Sequence, residues 1–271
     1  MELLPITSKE FGLFKAFIYS HAGISLADSK MPLVSGRLAK RLRTHGIKSF
    51  ADYYNLINNP MHADEQQIAI DLLTTNETHF FREPKHFDFM RDHILPKRAK
   101  GVNFRVWSAA SSSGEEPYTI AMLLAEYLKA DPWQVIASDI STRVLEQAQS
   151  GYYPISRAEE IPRHYLTKYC LKGTGEHANT LLIMRELRQR VQFLSVNLTK
   201  PYPALGEFDV IFLRNVMIYF DIETKRQITQ QMFPLLKPGG YFIISHSESL
   251  NGVTDAYEAV LPSIYRKPKN G

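Results

Sequence analysis

The stretch 105–123, RVWSAASSSGEEPYTIAML, reads as a buried β-strand, a loop of small residues and an amphipathic helix. In an open α/β sheet this is the turn where a ligand sits, beyond the carboxyl end of the strand. Dinucleotide sites at this turn use several glycines and a helix N-terminus to bring backbone N–H groups up to a pyrophosphate. Here the loop has one glycine, Gly114, and two consecutive carboxylates, Glu115 and Glu116, whose charge repels that anion. A phosphate-free cofactor with a cationic amino-acid end suits the turn better, and S-adenosylmethionine carries both an ammonium and a sulfonium. The competing reading of Ser113-x-x-Glu116 is a capping box. Pro117 counts against it, because proline disfavours helical geometry in the residue before it and is at home in the first helical position. The spacing therefore predicts a helix that starts at Pro117 and leaves Glu116 in the loop.

Outward from this turn, the sequence after Phe104 alternates short β-rich runs (FRVW, QVIAS, VQFLSV, FDVIFL, YFIIS) with helical stretches (EPYTIAMLLAEYL, TRVLEQAQ, TKRQITQQMFPLL). Continuous apolar runs are strands covered on both faces, so the alternation predicts an α/β fold with a doubly wound parallel sheet. The terminal YEAVLPSIYRKP predicts a hairpin closing one sheet edge, and residues 151–190, with a Gly-Thr-Gly turn, interrupt the rhythm as an inserted small β subdomain. The other strand ends also carry suitable groups. QVIAS runs into Asp139, either an acceptor for both ribose hydroxyls of an adenosyl group or an N-cap for the next helix. Asn197 and Leu198, after the third strand, offer an amide and an apolar side chain to bracket an adenine. Arg214 and Asn215 follow the fourth strand and face the same crevice.

Upstream, residues 8–75 have apolar residues at helical spacing throughout, with SKEFGLFKAFIYSHAG ending on Gly23 and VSGRLAKRLRTHG on Gly46, which predicts a small helical domain over 1–75. A polar and aromatic connector, TTNETHFFREP, and a helix from about Pro84 to Leu95 lead into a second domain over 76–271. The 271 residues, 44% of them hydrophobic, support a sizeable packed core. No apolar run approaches the ~20 residues of a membrane span, and the N-terminus lacks a signal-peptide pattern, so a cytoplasmic protein is expected. The single cysteine, Cys170, excludes an internal disulfide and a cysteine-based zinc cluster. The net charge of +4 permits a polyanionic partner or an acidic protein surface. His79, His86 and His93 recur every seventh residue, but that step spans ~10 Å of helix, too far for neighbours to share an ion, and no metal is expected.

The stretches LTTNETHFFREPKHF, RVWSAASSSGEEPYTIA, ASDIS, SVNL, FLRNVMIYFD and LLKPGGYFIISHSES, spread over residues 73–249, resemble the CheR family of chemotaxis receptor methyltransferases. The helical region with GRLAKRLRTHGI is similar as well. The resemblance implies a class I methyltransferase sheet behind an all-helical domain. It also implies methyl transfer from S-adenosylmethionine to glutamate side chains of chemoreceptor cytoplasmic domains, giving glutamyl methyl esters and S-adenosylhomocysteine. Carried onto this chain, the cofactor contacts fall on Asn76, Thr78, Arg82, Glu116, Asp139, Asn197, Leu198, Arg214 and Asn215, with Glu115 an open alternative to Glu116. A monomer that neither enters a membrane nor binds nucleic acid is expected.

With that chemistry in view, Arg82 and Tyr219 are assigned near the methyl, Arg82 attracting the acceptor carboxylate and Tyr219 donating a hydrogen bond that orients it. The plain reading of Tyr219 is a core aromatic beside Phe220. On a helix Val34, Leu38 and Leu42 form the buried stripe, Lys40 and Arg43 lie opposite, and Arg37 and Arg41 run along the flank. By itself this is a solvated basic face; with the resemblance it becomes the docking surface for an acidic receptor helix. Amino-methylating nucleic-acid enzymes carry an Asn/Asp-Pro-Pro-aromatic element after the fourth strand, where this chain reads RNVMIY without prolines. The other rivals are a non-catalytic receptor-binding module, opposed by Arg82, Asp139, Asn215 and Tyr219 together, and a nicotinamide dehydrogenase, opposed by the acidic loop.

Overall fold

A computed structural model describes residues 4–269. The backbone divides into two units, one holding the described residues up to Thr75 together with Tyr219–Thr224, the other Asn76–Ile218 with the described residues from Lys225 onward.

In the first unit, four helices run α1 Ser8–Ala22, α2 Met31–Thr44, α3 Phe50–Ile57 and α4 Ala63–Leu73. Thr7 and Glu10 close a capping box at the start of α1, and Gly23 ends it in the left-handed region at φ 70°, where glycine escapes the Cβ clash. Val34, Leu38 and Leu42 are fully enclosed, as the stripe on α2 predicts. Phe14 of α1 fills the centre, edge-on to Phe50 with ring centroids 6.2 Å apart.

In the second unit, α5 Lys85–Phe89 continues through a π turn, Met90–Ile94, and a 3₁₀ turn, Leu95–Lys97. Then follow β1 Phe104–Ser108, α6 Glu115–Leu128, β2 Trp133–Asp139, α7 Thr142–Ser150, β3 Tyr152–Pro154, α8 Arg163–Tyr169, β4 Cys170–Lys172, β5 Thr180–Ile183, α9 Arg185–Arg188, β6 Val191–Ser195 and β7 Phe208–Leu213. The chain ends through α10 Ile222–Met232, β8 Leu236–Ile244, β9 Glu258–Leu261 and β10 Ile264–Arg266. The main sheet has the order β6-β2-β1-β7-β8-β10-β9. β6, β2, β1, β7 and β8 are parallel, and the predicted terminal hairpin adds β10 and β9 antiparallel at the edge. The fold is the Rossmann-like, doubly wound one that the alternation predicts. Its strand order reverses between β1 and β7, which opens a crevice at their carboxyl ends. The insertion within 151–190 forms its own antiparallel sheet, β3-β5-β4.

The start of α6 corrects the sequence reading. The helix begins at Glu115, not Pro117. Gly114, at φ 97°, turns the chain sharply and its carbonyl accepts the Tyr118 N–H at 3.1 Å. Pro117 is therefore the third helical residue, still within the first turn, where a missing N–H costs no intrahelical bond. Gly114 is required for space as well as conformation: a Cβ there would lie 2.8 Å from the Ala148 Cβ and from the Tyr153 hydroxyl. The loop's one glycine thus serves packing under β3, not the cradling of a phosphate.

Candidate active site

The serines of the loop fasten β1 to its neighbours. Ser111 N–H donates to the Ser138 carbonyl at 2.8 Å. Ser112 N–H donates to Asp139 Oδ2 at 2.9 Å, and Ser112 Oγ to the Asn76 carbonyl at 2.7 Å. Ser112, Phe81, Glu83 and Asn215 all have φ between 49° and 57°, a left-handed conformation that costs non-glycine residues about 1–3 kcal/mol each. Four such residues near one group of strand ends mark a site whose backbone is shaped for something other than stability.

Glu115 and Glu116 have different surroundings. Glu115 is wholly enclosed, accepts from Ser113 Oγ at 2.7 Å, and lies 3.5 Å from Arg157 Nη1. Burial outweighs these partners and pushes its carboxyl up. Glu116 keeps 13% of its side chain exposed, accepting from Ser108 Oγ at 2.6 Å and from Arg214 Nη1 at 2.9 Å. The negative charge of the loop is thus not bare: Arg214, at the end of β7 with 2% of its side chain exposed, stands between Glu116 and Glu83, whose Oε2 is 3.3 Å away. A carboxylate and a guanidinium side by side suit an amino-acid zwitterion, the ammonium on one and the carboxylate on the other.

Asp139 closes β2, with Oδ1 accepting from Ser141 N–H at 3.0 Å. It is not the N-cap of α7; Ser141 is. Asn197 and Leu198 follow β6, Asn197 Oδ1 accepting from Thr199 N–H at 3.0 Å while Leu198 is 8% exposed. Asn76, Thr78 and Arg82 lie on the segment that leads into α5. The Thr78 carbonyl accepts from Arg157 Nη1 at 2.6 Å and the Glu77 carbonyl from Arg82 Nη1 at 2.9 Å. The hydroxyls of Ser111 and Ser141 and the Nε of Arg214 are buried without a hydrogen-bond partner. Unpaired donors of this kind at three strand ends fit a polar ligand in the crevice.

Tyr219 belongs to the other unit of the chain. Residues 219–224 belong to the helical unit, where Ser25 N–H donates to the Tyr219 carbonyl at 2.8 Å, Tyr19 Oη donates to Asp221 Oδ2 at 2.7 Å, and Phe220 bridges to Ile24. The four cations assigned on α2 also part company. Arg37 donates to the carbonyls of Leu72 and Thr74 at 3.2 and 2.8 Å. Arg41 grips Glu65, itself 5% exposed, through Nε at 2.8 Å and again through Nη2. Lys40 and Arg43 are exposed.

Two carboxylates escaped the sequence reading. Glu83 contacts Arg214, Asn215 and the His246 N–H. Glu248 accepts backbone N–H groups from Ser245, Asn215 and Ile218 at 2.8–3.3 Å, and burial raises its carboxyl nonetheless. Nothing in one sequence separates these glutamates from surface ones, since their partners lie 30 or more residues away in most of these contacts.

The sheet, its switch point and this donor set define a methyltransferase that uses S-adenosylmethionine. Residues 76–265 match the CheR methyltransferase, SAM binding domain, and residues 9–74 match the CheR methyltransferase, all-alpha domain. The chain belongs to the CheR methyltransferase family. It is 42% identical to the chemotaxis protein methyltransferase of Escherichia coli, across 99% of this chain and 94% of that protein. It is 40% identical to chemotaxis protein methyltransferase 2 of Pseudomonas aeruginosa, across 96% and 93%. Among solved structures, an N-methyltransferase of Bradyrhizobium japonicum in complex with S-adenosyl-L-homocysteine is 12% identical over 75% of this chain and 97% of that one, with a TM-score of 0.41. Among the described residues no helix is long and apolar enough to cross a membrane.

Proposed function

We propose that this protein methylates glutamate side chains on the cytoplasmic domains of chemoreceptors, giving γ-glutamyl methyl esters, and that it works in the cytoplasm. The observation that carries the reading is the Glu116–Arg214 pair at 2.9 Å, beyond the carboxyl ends of β1 and β7, with Asp139 and Asn197 at the carboxyl ends of the neighbouring β2 and β6. S-adenosylmethionine, when bound, supplies an activated methyl group on a sulfonium. Glu116 takes its ammonium end, in preference to the enclosed Glu115, and Arg214 its carboxylate. Asp139 holds the ribose, Asn197 and Leu198 hold the adenine, and Asn76, Thr78 and Asn215 close the crevice around it.

A glutamate acceptor is ionised at pH 7, so no strong base is needed, and the residues act by placement, which supplies up to ~7–11 kcal/mol when reacting atoms are held in line. Arg82 attracts the acceptor carboxylate, and Tyr219 orients it through its hydroxyl. The exposed cations of α2 suit a helix bearing several glutamates. The test is incubation with methyl-labelled S-adenosylmethionine and receptor cytoplasmic fragments, followed by mild base. Label released as methanol supports the reading; base-stable label, or label on nucleic acid alone, refutes it.

A further inference from the structure

Glu83 has no part in the scheme above, yet the crevice residues converge on it. Its Oε1 accepts from Asn215 Nδ2 at 3.2 Å, and its Oε2 accepts the His246 N–H at 3.2 Å and lies 3.3 Å from Arg214 Nη2 and 3.4 Å from His86 Nδ1. Burial raises its carboxyl, but Arg214, then Asn215, His246 and His86, outweigh burial and bring it below the ordinary value. Arg214 is one guanidinium between two carboxylates. Without Glu83 its whole charge falls on Glu116, the group that the ligand's ammonium needs.

Behind Glu83 runs a chain from a buried ring, His86, to an exposed one, His246. His86 is fully enclosed, and burial, with the charges of Arg214 and His246, lowers it to about 3, so the ring is neutral and carries one N–H. Its Nε2 lies 2.7 Å from Ser263 Oγ, and Ser263 Oγ lies 3.1 Å from His246 Nδ1. The Ser263 hydroxyl donates to the Pro262 carbonyl at 2.5 Å, so its oxygen accepts from both rings: His86 carries its proton on Nε2 and His246 on Nδ1, which uses the hydrogen and both lone pairs of the hydroxyl. His86 Nδ1 is buried without a hydrogen-bond partner, and Glu83 is tied to this chain through the His246 N–H.

The order Glu-His-Ser is that of a hydrolase triad, but Ser263 is 5% exposed and meets no substrate. The donor atoms of Glu83, His86 and His246 lie within 4.8 Å of one another, but a divalent ion there would stand beside the Arg214 guanidinium.

We infer that Glu83 is a positioning residue for the cofactor end of the crevice, holding Arg214 and Asn215 and keeping Glu116 available, and that the chain His86–Ser263–His246 braces it. The inference rests on the crevice reading proposed above. Its test uses the full chain, with S-adenosylhomocysteine binding by calorimetry, steady-state methyl transfer, and ¹⁵N NMR of the histidine rings. The wild type binds the product and shows His86 as the Nε2–H tautomer. Glu83→Gln, with an unchanged circular dichroism spectrum, weakens binding and raises KM for S-adenosylmethionine about tenfold, the size of one lost charged hydrogen bond, while kcat changes less. Glu83→Asp recovers part of the loss, and Ser263→Ala abolishes the tautomer preference. An Nδ1–H tautomer in the wild type overturns the inference, as does wild-type affinity in Glu83→Gln, or stoichiometric zinc uptake that His246→Ala removes. No uptake of the product by the wild type overturns the crevice reading and this inference with it; uptake indifferent to Glu83→Gln overturns this inference alone.

Discussion

Replacing Arg41 by alanine leaves Glu65 enclosed between α2 and α4 with its main counter-charge gone. Burial raises the Glu65 carboxyl, but Arg41, Tyr53 and His45 outweigh burial and pull it down to about 2 from 4.5. Tyr53 Oη donates to Oε1 at 2.7 Å, and His45 Nε2 lies 2.9 Å from Oε2. At ~1.4 kcal/mol per tenfold change in acidity, a carboxyl that ionises near 2 instead of 4.5 stabilises the fold by ~3 kcal/mol at neutral pH. The guanidinium supplies the larger part, so Arg41→Ala costs about 2 kcal/mol. The contribution is fully present above pH 4.5 and is lost as pH falls through 2, because the folded state ionises at the lower pH. Both tryptophans, Trp107 and Trp133, lie in the second unit, so their fluorescence does not report this change. Hydrogen–deuterium exchange of α2 and α4 peptides in the full chain does. Arg41→Ala speeds their exchange about thirtyfold at pH 7, and the ratio to wild type shrinks toward one between pH 4.5 and 2. A ratio near one at pH 7, or one unchanged at low pH, refutes the reasoning.

The other predictions concern the remaining α2 cations, the loop and the chemistry. Lys40→Glu with Arg43→Glu lowers kcat/KM for a receptor fragment, most at low salt, and leaves cofactor affinity unchanged; unchanged methylation removes α2 from docking. Gly114→Ala, strained at φ 97° and with its Cβ 2.8 Å from Ala148 and Tyr153, costs about 3 kcal/mol and lowers the melting temperature read by tryptophan fluorescence, and an unshifted melt contradicts the packing argument. Tyr219→Phe lowers kcat roughly tenfold, one hydrogen bond's worth, with little change in cofactor affinity by calorimetry; equal losses in both remove its proposed role.

The contacts of Arg37 and Arg41 decide which cations of α2 report docking. Helical spacing shows that Arg37 and Arg41 flank the apolar stripe, and on that ground both look free to meet a receptor. Arg37 instead holds the end of α4 and Arg41 holds Glu65, so charge reversal at either confounds docking with folding. Lys40 and Arg43 are the informative pair.

Period and apolar content, which are local, carried the architecture. FDVIFL is apolar on both faces because β7 is covered on both sides, and Gly23 stops α1 because only glycine enters the left-handed region without a Cβ clash. The strand-end residues Asp139, Asn197 and Arg214 were legible for the same reason, since a strand's carboxyl end is visible where its apolar run stops. What the chain did not reveal is what distant segments decide. The choice of helix start at Glu115 over Pro117 rests on the turn at Gly114 under Tyr153. The separation of Glu116 from Glu115 rests on Arg214, 98 residues away. Glu83 acquires its place through Asn215 and His246, more than 130 residues downstream. Secondary structure is fixed by neighbours along the chain, whereas the environment of a charge is fixed by whatever the fold brings within a few ångströms of it.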